Sequence, residues 1–350
     1  MALKTIFFCG HQSRYGLAHL KPVLEGFNVL AVVIATDERW GIFRNRISGE
    51  SYNTIGKFSI FMRAIITHTN KIRSFTKNIF SPNRSSSLES ICSHRHIPVL
   101  RIFDINEDAF IEKMKKYGPD LILSAAYPQI FSKKVLSIPE HGAINCHPSL
   151  LPRCRGAHPH FWSIATGEKL GGITAHYMTE NIDDGDIVAQ ISFPIGHYYY
   201  EELYKKIIDE TPFLVRQVRL FYENMEGKPT IQDSKNATYY KNDREIHRRI
   251  FWEIMSSQAI HNLIRTERAF CFFRGERVRI KRADVIAENR NMTNSVRVEN
   301  GTIVDINESS VVVAVTNNYL AIHTLSVRGK DLSFDRWVSR NRVYIGEKFS

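Results

Sequence analysis

Short runs of β-branched and aromatic residues open the chain: Leu3 to Cys9 and Val29 to Ala35 lie on either side of an amphipathic stretch, Leu17 to Leu24. Such runs predict strands, and the stretch between them predicts a helix bent at Pro22. Leu121 to Ala126 predicts a further strand. Gly142 to His147 reads as the end of a buried strand, closed by Pro148, which has no N–H for a ladder. Strands alternating with helices imply a parallel sheet with ligands at the carboxyl ends of its strands. Tyr200 to Met225 is helical in pattern, bent or split at Pro212, and predicts the helix that closes this α/β domain. Gly227 to Asn242, polar with one proline, reads as a linker, and Arg244 to Arg265 is again helical in pattern. After Phe270 the pattern becomes short alternating strands with turns at Glu299-Asn300-Gly301 and Thr316-Asn317-Asn318, which predicts a small β-barrel or open β-domain. The expected division is therefore a catalytic domain over 1–226, a linker over 227–243 and a helix plus β-domain over 244–350.

Composition sets limits on this picture. A chain of 350 residues predicts more than one core, and 43% hydrophobic content is enough to fill them. With no apolar run of about 18 residues and no signal-peptide core, the expected address is the cytoplasm and no membrane partner is expected. Five cysteines, an odd number without a Cys-x-x-Cys pair, fit reduced thiols. A net charge of +11 favours phosphate-bearing partners without choosing among them, and oligomeric state is not legible. Part of that charge is concentrated in a basic insertion, 39–87, where nine Lys and Arg residues face Glu50 alone. The insertion also carries Phe58, Phe61, Met62, Ile65 and Ile66 at near-helical spacing, a stripe more readily read as packing than as a membrane surface. It either grips the phosphates of a nucleotide sugar or an RNA, or it is a solvated embellishment. Arg277-Val278-Arg279-Ile280-Lys281-Arg282 alternates cations with apolar residues, giving either a nucleic-acid platform or the wet side of a half-buried strand.

Candidate chemistry centres on Asn145-Cys146-His147-Pro148-Ser149-Leu150-Leu151-Pro152. Asn145 and His147 are two residues apart on a strand, so both side chains leave the same face. A protonated imidazole beside a carboxamide donates hydrogen bonds to the oxyanion formed when an amine attacks an amide-like carbonyl. Asp183 lies on the loop Ile182-Asp183-Asp184-Gly185-Asp186 between two strand-like runs. A carboxylate there favours the charged imidazole and takes part in moving the proton that the amine loses. An Asn-x-His pair alone identifies no site, since most such groups are satisfied structural ones. Cys92-x-His94-x-His96 falls at a predicted helix end and no second ligand pair has zinc spacing, so no metal is expected. His158 and His160 read as acceptor-side or surface groups.

The succession Asn145-x-His147-Pro148-Ser149-Leu150-Leu151-Pro152-Arg153-x-Arg155-Gly156, Gly172-Ile173-Thr174-Ala175-His176 and Ile182-Asp183-x-Gly185-Asp186-Ile187 resembles the folate-dependent formyltransferase family. Members of that family act on methionyl-tRNA, glycinamide ribonucleotide or nucleotide-linked amino sugars. The family's catalytic Asn, His and Asp fall on Asn145, His147 and Asp183. The resemblance implies a Rossmann-like parallel-sheet formyltransferase domain and, more loosely from Ser257 onward, a smaller C-terminal β-barrel-like domain. It implies 10-formyltetrahydrofolate as co-substrate, with the pterin against Tyr127 to Phe131 and Thr179 to Asp183, largely through backbone hydrogen bonds. Tyr127, Gln129, Phe131, Glu180 and Ile182 are the folate candidates, although Ile130 and Phe131 read equally well as core. Arg153, Arg155 and His176 are the acceptor-side candidates. The two arginines would meet acceptor phosphate or serve only solubility, and His176 either orients Asp183 or is a satisfied core histidine.

The acceptor divides the same evidence. His176 to Asp183 looks closer to the nucleotide-sugar members, and the Pro-Asp-Arg-Pro-x-Gly-Arg-Gly signature of the tRNA enzymes is absent from 39–87. The positive charge and the C-terminal domain point to tRNA, although the usual Trp-Pro-Gly stretch there reads Cys271-Phe272-Phe273-Arg274-Gly275. The expected acceptor is the amino group of a nucleotide-linked amino sugar; methionyl-tRNA is the alternative, and a catalytically inactive folate- or nucleotide-binding homologue a further one.

Overall fold

The computed structural model describes residues 3–10, 13–36, 88–223, 227–287, 298–316 and 318–350, and the basic insertion at 39–87 lies outside the described residues. The chain forms two compact units, one of Met1–Cys146, His176–Asn181 and Val215–Gly227, the other of His147–Ala175, Ile182–Leu214 and Lys228–Ser350.

The first unit follows β1 (Lys4–Cys9), α1 (Arg14–Gly26), β2 (Asn28–Ala35), α2 (Leu88–His94), β3 (Val99–Ile102), α3 (Asp108–Tyr117), β4 (Leu121–Ala125), α4 (Lys133–Leu136) and β5 (Ala143–His147, as far as Cys146). Its strands are ordered β3-β2-β1-β4-β5, each pair parallel. Parallel strands are covered on both faces, so β1 and β4 are continuous apolar runs rather than alternating ones. Ser13 starts α1 by accepting the Gly16 N–H on its Oγ at 3.1 Å, and Pro22 lies inside the helix without ending it. Ile6, Phe8, Val33, Met114 and Ile122 form the centre of the core. Since β2 and β4 flank β1 on opposite sides, the strand order reverses there, and sheets of this kind bind ligands outside the carboxyl ends of the strands at that point.

The second unit contains β6 (Arg155–Gly156), α5 (Pro159–Ala165), β7 (Leu170–Tyr177, as far as Ala175), β8 (Ile187–Pro194), the start of α6 (Tyr200–Glu223), β9 (Tyr239–Tyr240) and α7 (Ser257–Arg265). There follow β10 (Phe270–Phe273), β11 (Glu276–Ala287), β12 (Ile303–Ile306), β13 (Val311–Val315), β14 (Asn318–Val327), β15 (Lys330–Ser333) and α8 (Phe334–Asn341). The last six strands form one antiparallel sheet in the order β10-β11-β14-β13-β12, with β15 also on β14. Its two edges are joined by residues 347–350. Phe272 and Ser350 exchange backbone hydrogen bonds at 2.7 and 2.8 Å, while Ile303 N–H donates to Glu347 O and Phe349 N–H to Gly301 O at 2.8 and 2.9 Å. Closure of this kind removes unpaired strand edges. Phe349 fills the interior, with its ring centroid 5.1 to 5.8 Å from those of Phe273, Trp337 and Trp252. Arg277 and Arg279 are exposed between the buried Val278 and Ile280, so the expected alternation holds. Arg277 is engaged: it pairs with Glu245 and lies 3.6 Å over the Phe270 ring.

Three segments differ from their sequence pattern. One helix, α6, runs through Pro212, so the helix is not split there. Residues 244–265 are not one helix: Glu245–Arg248 make a single 3-10 turn, Ile250 N–H donates to Phe270 O at 2.8 Å, and only Ser257–Arg265 are α-helical. Pairing with β10 and burial of Trp252 win over helical propensity here. His158 and His160, expected as acceptor-side or surface groups, are half-buried and bonded internally. His158 bonds to Asp243, whose fully buried side chain also pairs with Arg248 and, at 3.2 Å, with Arg268. Burial alone would raise the Asp243 carboxyl, but the bonds from His158 and Arg248 and the Arg268 charge hold it well below the usual carboxylate range. Tyr200 Oη accepts from Arg268 Nη2 at 3.2 Å and lies 2.6 Å from His160 Nε2. Burial, followed by the charges of His158 and Arg268, pushes His160 down to about 3. Among the described helices, none is long and apolar enough to cross a membrane.

Phe349→Ala should lower stability by about 3–5 kcal/mol, read as the denaturant midpoint; an unchanged midpoint would mean that residues 347–350 do not hold the sheet closed. His160 makes a second, pH-dependent prediction. Below pH 6.5 the unfolded chain takes up a proton that the folded imidazole refuses until about pH 3, so stability falls as pH drops through that window. His19, pushed down to about 4 by burial, adds to the same slope. The difference in thermal midpoint between pH 7 and pH 5 should shrink in His160→Gln, and equal differences would refute the assignment.

Candidate active site

His147 is the last residue of β5 and is buried. Its Nδ1 lies 3.5 Å from Asp183 Oδ2, and its Nε2 lies 3.0 Å from the Cys154 carbonyl oxygen. Both partners are acceptors, so an imidazole protonated at both nitrogens donates to both. Asp183 has φ 54, a conformation that Asp tolerates better than most residues, and its Oδ2 accepts the Gly156 N–H at 2.8 Å. A carboxylate held by a backbone N–H on one side and an imidazole on the other is placed to exchange a proton with that imidazole.

What fixes Gly156 is β9. Arg155 N–H donates to Thr238 O at 2.8 Å, Ala157 N–H to Tyr240 O at 2.9 Å, and Cys154 N–H to Thr238 Oγ1 at 2.8 Å. At Gly156, φ 93, a Cβ would lie 2.2 Å from Tyr240 O, so no other residue lets the strands approach this far. The stretch expected to be a linker is thus a wall of the site. Gln232, Thr238 and Tyr240 are the residues that sequence reasoning missed there, because a polar segment has the same composition whether it is solvated or hydrogen-bonded. The only local sign was the paired aromatics Tyr239-Tyr240, a strand-like dipeptide inside a polar run.

Asn145 belongs to the first unit, as does His176. His176 Nδ1 lies 2.8 Å from Tyr177 O, which only accepts, so Nδ1 carries the proton and Nε2 is left to accept from Asn145 Nδ2 at 3.4 Å. His176 is thus one of the groups that orient the Asn145 carboxamide. Phe131 is 2% exposed and packs on Phe8 with ring centroids 4.9 Å apart, so of its two expected readings the core is the one found. Gln129 spends its amide on the Phe103 carbonyl at 2.8 Å and the Ile105 N–H at 3.0 Å. Tyr127 packs edge-on to Phe8, and its buried hydroxyl has no hydrogen-bond partner among the described residues. That orphaned hydroxyl, beyond the carboxyl end of β4, fits a ligand with polar groups. Glu180 is exposed and Ile182 half-buried.

The arginines have internal partners: Arg153 Nε donates to Glu168 Oε1 at 3.1 Å, and Arg155 donates to Gln232 Oε1 at 3.1 and 2.7 Å. Burial pushes the Cys146 thiol up to about 12 and the Cys154 thiol up to about 11, so neither is a thiolate nucleophile near neutral pH.

The formyl transferase family matches residues 75–218, and the formyl transferase C-terminal domain matches residues 244–342. Methionyl-tRNA formyltransferase of Alkaliphilus oremlandii is 32% identical over 253 residues, 71% of this chain and 79% of the relative. The methionyl-tRNA formyltransferase of Clostridium beijerinckii is 32% identical over 259 residues, 71% and 80% of the two chains. An N-formyltransferase from Helicobacter canadensis, solved with folinic acid and dTDP-3-aminofucose, shares the fold with a TM-score of 0.61 at 16% identity, over 91% of this chain and 99% of that one. A motif series of this length, matched family regions in both halves of the sequence and these relatives lead to one conclusion: the chain belongs to the folate-dependent formyltransferase family and is a formyl-transfer enzyme that uses formyl-tetrahydrofolate.

Proposed function

We propose that the acceptor is the α-amino group of methionyl-tRNA. The observation that carries this reading is that relatives 32% identical to the chain, matched over 79% and 80% of their own length, are methionyl-tRNA formyltransferases. The sugar N-formyltransferase shares the fold at 16% identity, and the +11 charge suits a polyphosphate partner. A nucleotide-linked amino sugar, favoured by the pattern from His176 to Asp183, becomes the second reading.

10-Formyltetrahydrofolate supplies the formyl carbon: the amine nitrogen adds to it, and the bond to folate N10 breaks when the resulting oxyanion collapses. Negative charge grows on the formyl oxygen. Asn145, its carboxamide oriented by His176, donates to that oxygen. His147 supplies the second donor, its Nε2–H exchanging the Cys154 carbonyl for the formyl oxygen. Asp183, fixed by the Gly156 N–H, keeps His147 charged and passes the amine's proton, through His147 or water, towards N10. On the folate side, the Tyr127 hydroxyl and the backbone at Gln129, Glu180 and Ile182 hold the pterin. Arg153 and Arg155 meet acceptor phosphate only by giving up Glu168 and Gln232.

His147→Ala and Asp183→Asn should each lower kcat by orders of magnitude with an unchanged circular-dichroism spectrum, and near-wild-type rates in either would remove this mechanism. Tetrahydrofolate release should be seen with methionyl-tRNA and should weaken steeply as salt is raised. Turnover with nucleotide-linked amino sugars alone would establish the second reading instead.

A further inference from the structure

Residue 232 lies between the two regions matched to the formyltransferase family, 75–218 and 244–342, in a polar stretch that nothing in composition marks out. The Gln232 side chain is nevertheless nearly buried, with the residue 7% exposed. Backbone pairing delivers it there: Ile187 N–H donates to Thr230 O and Thr230 N–H to Ile187 O, both at 2.8 Å, immediately after the Asp183 loop. Its carboxamide then makes four contacts. Nε2 donates to the Asp183 carbonyl at 3.0 Å and to the Gly185 carbonyl at 2.7 Å. Oε1 accepts from Arg155 Nε at 3.1 Å and Nη2 at 2.7 Å. Two N–H groups and two lone pairs are the full capacity of an amide, and all are used. The orientation of the amide follows from its surroundings, since carbonyls require the nitrogen and a guanidinium requires the oxygen.

These contacts reach both supports of one carboxylate. On one side Gln232 holds the backbone oxygen of Asp183, a residue at φ 54 that the surrounding structure has to hold in place. On the other it holds Arg155, the neighbour of Gly156, whose N–H meets Asp183 Oδ2. We propose that Gln232 is a positioning residue for formyl transfer, setting the distance and direction of the Asp183 carboxylate relative to His147. This inference rests on the catalytic roles assigned above to Asp183 and His147. It also explains Arg155 without an acceptor phosphate: the guanidinium is the anchor through which Gln232 reaches the Gly156 loop.

The choice of glutamine is specific. Glutamate keeps the Arg155 contact but turns an oxygen towards the two carbonyls of the Asp183 loop. Methionine keeps the length and roughly the volume but makes none of the four bonds. Asparagine is one methylene too short to span both partners.

The test is steady-state kinetics on the full chain with 10-formyltetrahydrofolate and methionyl-tRNA, comparing wild type, Gln232→Met and Gln232→Glu, together with thermal midpoints and the pH profile of kcat. Misplacement of a catalytic group by a fraction of an ångström to 1 Å lowers rates by up to about 10²-fold. Both variants should therefore lose roughly 10- to 100-fold in kcat, with KM for the folate changed less than about threefold, and the pH limb governed by the His147–Asp183 pair should move. Gln232→Glu, which retains Arg155, separates the loss of the loop contact from loss of the whole bridge if Gln232→Met does not fold. Folded variants with wild-type kcat and pH profile but lower thermal midpoints would overturn the inference, as would failure of both to fold, since Gln232 would then be structural only. A wild-type enzyme without turnover on methionyl-tRNA or an amino sugar would instead overturn the proposed function, and this inference with it.

Discussion

The approach of Gly156 to the Tyr240 carbonyl, too close for any Cβ, is the contact on which the arrangement of Asp183 and His147 depends. It lets β6 pair with β9, and that pairing aims the Gly156 N–H at the Asp183 carboxylate. The position of the carboxylate in turn decides which nitrogen of His147 faces it. A chain of short-range constraints thus runs from a missing side chain to the pairing of Asp183 with His147.

That loop is held from the other end as well. Phe161, in the first turn of α5 just beyond the loop, is fully buried in the same core as Trp252, Ile260 and Phe349. Between the loop and this core lies the Asp243 cluster, in which one desolvated carboxylate accepts from His158 and Arg248 and faces Arg268. The C-terminal β-domain is therefore part of what keeps the loop rigid, in addition to any role in binding an acceptor. Four arginines of this region are likewise engaged internally: Arg153, Arg155, Arg248 and Arg268 all have acceptors within the unit.

What was legible in the sequence was local. The parallel strands β1, β2 and β4 read correctly because burial on both faces writes them as unbroken apolar runs. The strand carrying Asn145 and His147 was legible from its apolar run closed by proline, and the structure brings Asp183 to within 3.5 Å of His147. The rest depends on partners far apart in the chain: Gln232 is 49 residues from Asp183, and His158 is 85 from Asp243. No periodicity records such pairings, so the supposed linker, the internally bonded histidines and the broken helix after Arg244 emerge only from the fold. The acceptor was ambiguous for a related reason. The pattern from His176 to Asp183 on one side, and the net charge and C-terminal domain on the other, do not choose the partner, because a phosphate-bearing acceptor of either kind suits them.

The Asp243 cluster also restricts how this protein can diverge. Substituting Asp243 leaves three neighbouring basic groups without their shared acceptor, and substituting one of the three weakens the neutralisation of a fully buried carboxylate. Single substitutions at His158, Asp243, Arg248 or Arg268 are therefore poor intermediates between related sequences. The four positions are expected to be inherited together, or exchanged together, as one evolutionary unit.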